Sequence, residues 1–350
     1  MGSVFKLGVV IIITFFLLMH FMEKEDLISE QNNSPFVTSV KYLTLPPSWH
    51  IDNIVLYNNA FYTSMYSESQ NNNSFGQLRT YRVFIFDHNG IFIKEVNIPA
   101  STRKTNRFDI TVSRHNKLCL TTYTKGFKSF IYDDTLDSLV LSNKDNTPED
   151  KSRFLYEDSL FEVSNIDRGE WGGTVFFKDK RTNISYEAGA DGVKSVVKLK
   201  NAYYVTNYLA HMSGWGSIIR INDPLKLTIT DTNRFFFLKG SSSYKGTTIV
   251  YDNDDIRLVT SFVLDNQLLT IFEEYPEFGA IGRKCVIGSL INNTIKQSNT
   301  RLIEFDSGLS LGLQQIMPDG SQLLSCNFGS NSREGFMLIK GKYITFYITK

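Results

Sequence analysis

Residues Val259 to Tyr275 read VTSFVLDNQLLTIFEEY, two runs of apolar, aromatic and β-branched residues on either side of Asp265-Asn266. Such side chains fit a pleated, half-buried surface. Asp and Asn tolerate the positive φ that a two-residue hairpin turn demands. The stretch therefore predicts a β-hairpin, and the same unit recurs along the chain. Asn58-Asn59 joins IVLY to AFYTSMY, His115-Asn116 joins ITVSR to KLCLTTYT, and Glu157-Asp158 joins RFLY to SLFEVSN. Lys200-Asn201 joins SVVKL to AYYVTNY, and Asp319-Gly320 joins LGLQQIMP to SQLLSCN.

The six turns are spaced 57, 42, 43, 65 and 54 residues apart, a period that suits one four-stranded propeller blade better than a short solenoid repeat. Two further strand candidates follow each hairpin, as in Tyr81 to Asp87 then Ile91 to Ile98, or Phe127 to Tyr132 then Ser138 to Leu141. A β-sandwich would explain the alternation but not this repeated order of hairpin, third strand and fourth strand. The predicted fold is an all-β, six-bladed β-propeller over residues 36–350. The longest interval holds extra runs at Arg234 to Leu238 and Thr247 to Tyr251, which keeps seven blades open. Phe36 to Leu45 and Tyr343 to Thr349 both alternate, and pairing them in one blade would close the ring and remove its open edges.

The stretch Tyr81 to Ile93, with its Asp87-His88-Asn89-Gly90 turn between two strands, resembles the signature of TolB-like and NHL-like six-bladed propellers. The resemblance covers one blade well and the others loosely. It implies a fold and brings no catalytic residue with it. No Trp-Asp dipeptide, YWTD motif or kelch double glycine repeats along the chain.

Ahead of the repeats, Leu7 to Met22 (LGVVIIITFFLLMHFM) carries no charge with His20 neutral, and Glu23-Lys24-Glu25-Asp26 follows at once. Sixteen helical residues rise about 24 Å, short of a usual span but within reach of tilt and bilayer thinning. No small-residue cleavage pattern follows the apolar core, so residues 1–22 are expected to be an uncleaved anchor, with a cleaved signal as the alternative. Residues 23–35 are expected to be a polar linker. Lys6 before the segment and the acidic flank after it place the β domain outside the membrane, in the periplasm or at the cell surface.

Thirty-seven basic and 36 acidic residues leave a net charge of +1, without the electrostatic footprint of a nucleic-acid binder. Cys119, Cys285 and Cys326 are far apart in strand-like runs and read as buried free thiols, with one disulfide left open. Asp252-Asn253-Asp254-Asp255 lacks the spacing and glycine of a calcium loop and reads as a solvated loop. No metal site and no cofactor are expected.

If every recurring turn joins the first and second strands of a blade, the longer loops between second and third strands gather on the opposite face. They are Ser67 to Arg79, Thr124 to Gly126, Ile166 to Gly173, Leu209 to Gly216, Glu273 to Arg283 and Phe328 to Glu334. Two carry a tryptophan beside glycines, Asp167-Arg168-Gly169-Glu170-Trp171-Gly172-Gly173 and His211-Met212-Ser213-Gly214-Trp215-Gly216. Rigid indoles and an arginine on a loop-built face are the makings of a binding hot spot, while burial of both indoles between blades is the structural alternative. The candidate binding residues are Arg168, Trp171, His211, Trp215, Glu274 and Tyr275.

No G-x-S-x-G elbow, P-loop, H-E-x-x-H or C-x-x-C motif is present. These observations favour a non-enzymatic envelope protein that binds a protein or glycan on this face. An immunity-type inhibitor of an incoming toxin is a narrower version. The alternative is an extracytoplasmic hydrolase or lyase acting on glycans or peptides, with Asp167, Glu170, Glu274 and His211 as candidate acid–base groups. Two carboxylates converging at the channel mouth would favour that alternative.

Overall fold

The computed structural model describes residues 35–45, 48–67, 79–105, 107–113, 116–123, 127–142, 153–167, 172–209, 215–230, 243–254, 256–274, 284–301, 310–327 and 334–349. They form six sheets, each begun by an innermost strand and meandering outward. β1 (Val37–Leu43) precedes the first blade. Blade 1 holds β2 (Trp49–Tyr57), β3 (Ala60–Ser67), β4 (Arg79–Phe86) and β5 (Phe92–Glu95), with β6 (Lys104–Thr105) added beside β4. Blade 2 holds β7 (Arg107–Val112), β8 (Leu118–Tyr123), β9 (Phe127–Asp133) and β10 (Ser138–Leu141). Blade 3 is β11 (Arg153–Glu157), β12 (Phe161–Asp167), β13 (Gly173–Asp179) and β14 (Ser185–Gly189). Blade 4 is β15 (Val193–Leu199), β16 (Ala202–Leu209), β17 (Trp215–Ile221) and β19 (Thr247–Asn253), while β18 (Thr228–Ile229) crosses back to pair with β14.

Blade 5 is β20 (Ile256–Leu264), β21 (Gln267–Glu274), β22 (Lys284–Ile291) and β23 (Thr294–Arg301). Blade 6 is β24 (Ser310–Ile316), β25 (Gln322–Asn327), β26 (Glu334–Lys340) and β27 (Tyr343–Thr349), and β1 pairs with β27 in parallel. The two ends of the described chain therefore meet in one sheet, as their alternation predicted. The ring has six blades. Thr247 to Tyr251 belongs to the fourth strand of blade 4 rather than to a seventh blade, and Arg234 to Leu238 lies outside the described residues. Asp252 and Asn253 close β19 instead of forming a loop, because they pair with Ser217 and Gly216.

Local chemistry sets the turns. Asn58, Asn59, Asp265 and Asn266 all have positive φ, as two-residue hairpins require. The expected Glu157-Asp158 turn is displaced. Glu157 still belongs to β11, and the bend runs over Asp158 to Leu160 because Asp158 Oδ1 accepts the N–H groups of Leu160 and Phe161 at 2.8 Å each. A second periodic signal lies at the end of each third strand in blades 1 to 4, where Asp87, Asp133, Asp179 and Asp223 recur. Each Oδ1 accepts the N–H two residues on, from Asn89, Thr135, Arg181 and Leu225, which is an Asx turn. In blade 1 the turn also locks the ring: Tyr347 Oη and Lys41 Nζ both donate to the His88 carbonyl. Gly90 follows at φ +77°, and a Cβ there would approach the side chain of Leu43 to 3.1 Å.

The core consists of the seams between blades. In β4, Tyr81, Val83 and Ile85 face Phe108, Ile110 and Leu120 of blade 2, while Phe84 and Phe86 join Leu43, Leu323 and Phe336 on the blade 6 side. Comparable clusters join blades 3 and 4, 4 and 5, and 5 and 6. Alternation in one strand thus feeds two cores. Cys285 and Cys326 are buried in the last of these clusters, and both are free thiols.

Buried and half-buried polar side chains satisfy the inner edges of the blades. Ser195 Oγ accepts the Ser261 N–H, Gln322 Nε2 donates to the Ser261 carbonyl, and Gln315 bonds both the N–H and C=O of Leu56. Asn53 Nδ2 donates to the Ile110 carbonyl. An edge strand has unpaired backbone groups, and these bonds carry them from one blade to the next.

Candidate mouth of the central channel

Like ends of the innermost strands meet. Leu56, near the turn end of β2, contacts Gln315 near the turn end of β24, whereas Ile51, at the opposite end, is bound by Glu334. The hairpin turns therefore share one face, and the opposite face receives the loops between second and third strands. The central parts of all six loops lie outside the described residues. So do Arg168, Glu170, Trp171, His211 and Tyr275 from the sequence-based set. Trp215 opens β17 opposite Leu209 and is half-buried. Glu274 ends β21 opposite Lys284 and Ile256, and exposed Asp167 ends β12 opposite Gly173. All three sit at the loop face on different blades.

A different group of residues converges where blades 6, 1 and 2 meet. Five of the six innermost strands carry a one-residue bulge against the second strand, at Asp52, Leu155, Lys194, Val259 and Gln314. A bulge tightens the twist and re-aims a side chain. At Asp52 the extra residue falls outside the ladder register, and its carboxyl feels the charges of Asp109 on β7 and Glu334 on β26. Glu334 fixes this corner: Oε2 accepts the Ile51 N–H at 2.6 Å and Oε1 lies 3.2 Å from His50 Nδ1. Tyr66 is held between two partners, with the His50 ring stacked at 5.3 Å and the Arg79 guanidinium 4.2 Å from its centroid. Tyr81 stacks on Phe108 at 4.8 Å and lies within hydrogen-bond reach of Arg79.

These neighbours set the charge of Asp52. Its pKa is pushed up to about 6, first by crowding that strips water from the carboxyl and then by the Asp109 charge, with Glu334 adding to the rise and Arg79 opposing it. Crowded as its carboxyl is, Asp52 is an exposed residue by surface area. A proton can therefore be exchanged with water near neutral pH at a position flanked by carboxylates and a cation. That arrangement can donate or accept hydrogen bonds with a hydroxyl-rich ligand, and it can pair a proton donor with a proton acceptor. Among the described residues, no group of three or more His, Cys, Asp or Glu side chains is placed to hold a metal ion.

The raised value has a signed consequence for stability. A carboxyl that holds its proton more tightly when folded favours the fold most below its unfolded value of 3.8, and this contribution is lost as pH rises through about 6. Asp52→Asn is expected to match the wild type near pH 4 and to be the more stable protein at pH 7. Urea unfolding at both pH values measures the difference; equal stability at pH 7 would contradict the assignment.

No local motif marks this cluster. His50 and Asp52 precede the first hairpin, Arg79 follows a long loop, and Glu334 comes from the far end of the chain. Folding of blade 1 brings His50, Asp52 and Arg79 together, and closure of the ring adds Glu334. The resulting class is a six-bladed β-propeller with a polar, acid-rich mouth.

No family model and no curated protein matches the sequence. Among solved structures, the chain is similar to the β-propeller domain of the Trilobed protease from Pyrococcus furiosus, with 12% identity, a TM-score of 0.37, and coverage of 85% of this chain and 83% of that one. A thermostable family-43 glycoside hydrolase aligns at 9% identity and a TM-score of 0.35, over 76% of this chain and 97% of the other. A quinonprotein alcohol dehydrogenase-like protein from Bacteroides thetaiotaomicron aligns at 9% identity and a TM-score of 0.33, over 90% and 95%. Other glycoside hydrolases and a Trypanosoma rangeli sialidase are also among the matches. These are distant likenesses of architecture and say nothing of ligand or reaction.

Proposed function

We propose that this protein is an extracytoplasmic, membrane-tethered propeller that binds a glycan or protein of the cell envelope on its loop face. The observation that supports this most is the gathering of Asp52, Asp109, Glu334, Arg79 and Tyr66 at one mouth of the channel. Carboxyls and a guanidinium held on an aromatic ring suit a ligand rich in hydroxyl and amide groups. Trp215 would extend the contact toward blade 4, and Trp171 joins it as a candidate by sequence. The tether belongs to residues 1–22, outside the described residues; among those described, no helix is long and apolar enough to cross a membrane. Kinship with TolB-like or NHL-like propellers and an immunity-type role are finer parts of this reading.

Binding of the full chain to immobilised envelope polysaccharides and peptides tests it. Arg79→Ala/Tyr66→Ala is expected to lose capture roughly tenfold or more, as removal of a hot spot does, and Trp171→Ala/Trp215→Ala to weaken it. Undiminished capture by both folded variants would remove this face as the site.

The raised pKa of Asp52 beside Asp109 supports a second reading, acid–base hydrolysis of a glycan. In that case Asp52→Asn retains capture while release of reducing ends falls by roughly 10²–10⁴. A ligand that stays intact in the presence of the wild-type protein would leave binding alone.

A further inference from the structure

The outer part of blade 1 contains a cationic cavity separate from the channel mouth. β4 is paired at one end by β6, through Arg79 and Thr80, and at the other by β5, from Phe84 onward. Between them, among the described residues, its outer edge is bridged by the Tyr81 N–H to the Arg103 carbonyl and by the Val96 N–H to the Val83 carbonyl. A cavity of about 330 Å³ opens at this gap, lined by Arg82, Glu95, Val96, Asn97 and Arg103.

The charges lining it do not balance. Arg82 has a partner, with its Nη1 3.1 Å from Glu95 Oε2, and its guanidinium is held 4.9 Å from the Trp49 ring centroid. Arg103 is half-buried, and its Nε is a buried donor without a hydrogen-bond partner. No ion pair or side-chain hydrogen bond of Arg103 to another described residue is present. Burying such a donor without an acceptor is costly, and because this Nε is shielded from solvent, it is the remainder of the half-buried side chain that lines the cavity. The exposed Asn97 amide at the rim is a further donor.

We propose that this cavity binds an oxyanion, a carboxylate or phosphate-type group, between Arg103 and Arg82. A guanidinium presents parallel N–H donors that match two oxygens of such a group. Glu95 limits the net charge, so the site favours a single anionic group over a polyanion. The opening admits a group carried by a larger molecule as readily as a free ion.

The probes are inorganic phosphate and acetate, with chloride at equal ionic strength as the control. The readout is the arginine Nε–Hε signals of the full chain. Saturable shifts of the Arg103 signal with phosphate or acetate, but not chloride, are expected. Arg103→Gln should weaken binding roughly tenfold or more, the cost of one charge-assisted bond. Asn97→Asp, an exposed change that places a carboxylate at the rim, should abolish binding without unfolding the chain. Glu95→Gln should tighten it. No saturable shift in the wild type, or unaltered affinity in Asn97→Asp, would overturn the proposal even if Arg103→Gln fails to fold. Comparing phosphate with acetate shows which oxyanion the cavity prefers.

Discussion

Replacement of Arg257 by alanine is expected to destabilise the protein by about 3–5 kcal/mol, the usual cost of stranding one member of a buried ion pair. Arg257 Nη1 lies 3.0 Å from Glu273 Oε2, and Glu273 is almost wholly buried at 1% exposure. The pair also binds the next blade: Arg257 Nη2 donates to the Leu311 carbonyl at 3.0 Å, and Glu273 Oε1 accepts the Leu311 N–H at 3.0 Å. Without the guanidinium, a carboxylate in the seam of blades 5 and 6 loses its counter-charge, and the inner edge of blade 6 loses an anchor. Urea unfolding of the full chain at neutral pH measures the loss. Glu273→Gln, which removes the stranded charge but keeps an acceptor for Leu311, should cost less. A loss for Arg257→Ala below about 1 kcal/mol, the range of exposed pairs, would contradict the junction.

The second large effect concerns ring closure. Leu43 is fully buried in the cluster between blades 6 and 1, although it lies on the strand that enters from the N-terminal side. Leu43→Ala should cost about 2–5 kcal/mol, as for other large-to-small changes in a packed core. Val40 on the same strand pairs with Phe346 but is 46% exposed, so Val40→Ala should change stability by no more than about 0.5 kcal/mol. The contrast tests both the parallel pairing of β1 with β27 and its register, because a slip of one residue would exchange the two outcomes.

The fold was legible because its signals are local. Asn58-Asn59 and Asp265-Asn266 announce hairpins through positive φ, and the alternation around them feeds two seams at once. The aspartates that end the third strands of blades 1 to 4 were an equally local repeat, although only Asp87 stood out, because the residues after each one differ. Asp158 shows where local reading fails. Its Oδ1 caps the bend locally at Leu160 and Phe161, while Oδ2 accepts from Lys198 Nζ and Tyr203 Oη, a double role that the residue pair Glu157-Asp158 alone does not announce. The mouth was illegible for a stronger reason. Asp52, Asp109 and Glu334 are brought together by the bulge in β2 and the closure of blade 6 on blade 1, and neither leaves a motif. The tryptophan loops stood out by composition, yet Trp215 alone of the two indoles falls within the described residues.

An Asp52 carboxyl whose pKa is raised to about 6 by its surroundings is the central feature of the mouth. Its most direct test is a carbon-detected NMR titration of the Asp52 carboxyl in the full chain, repeated in Asp109→Asn. A midpoint near 6 that moves down when the Asp109 charge is removed is the predicted result. A midpoint near the ordinary 3.8, or one indifferent to Asp109, would contradict it.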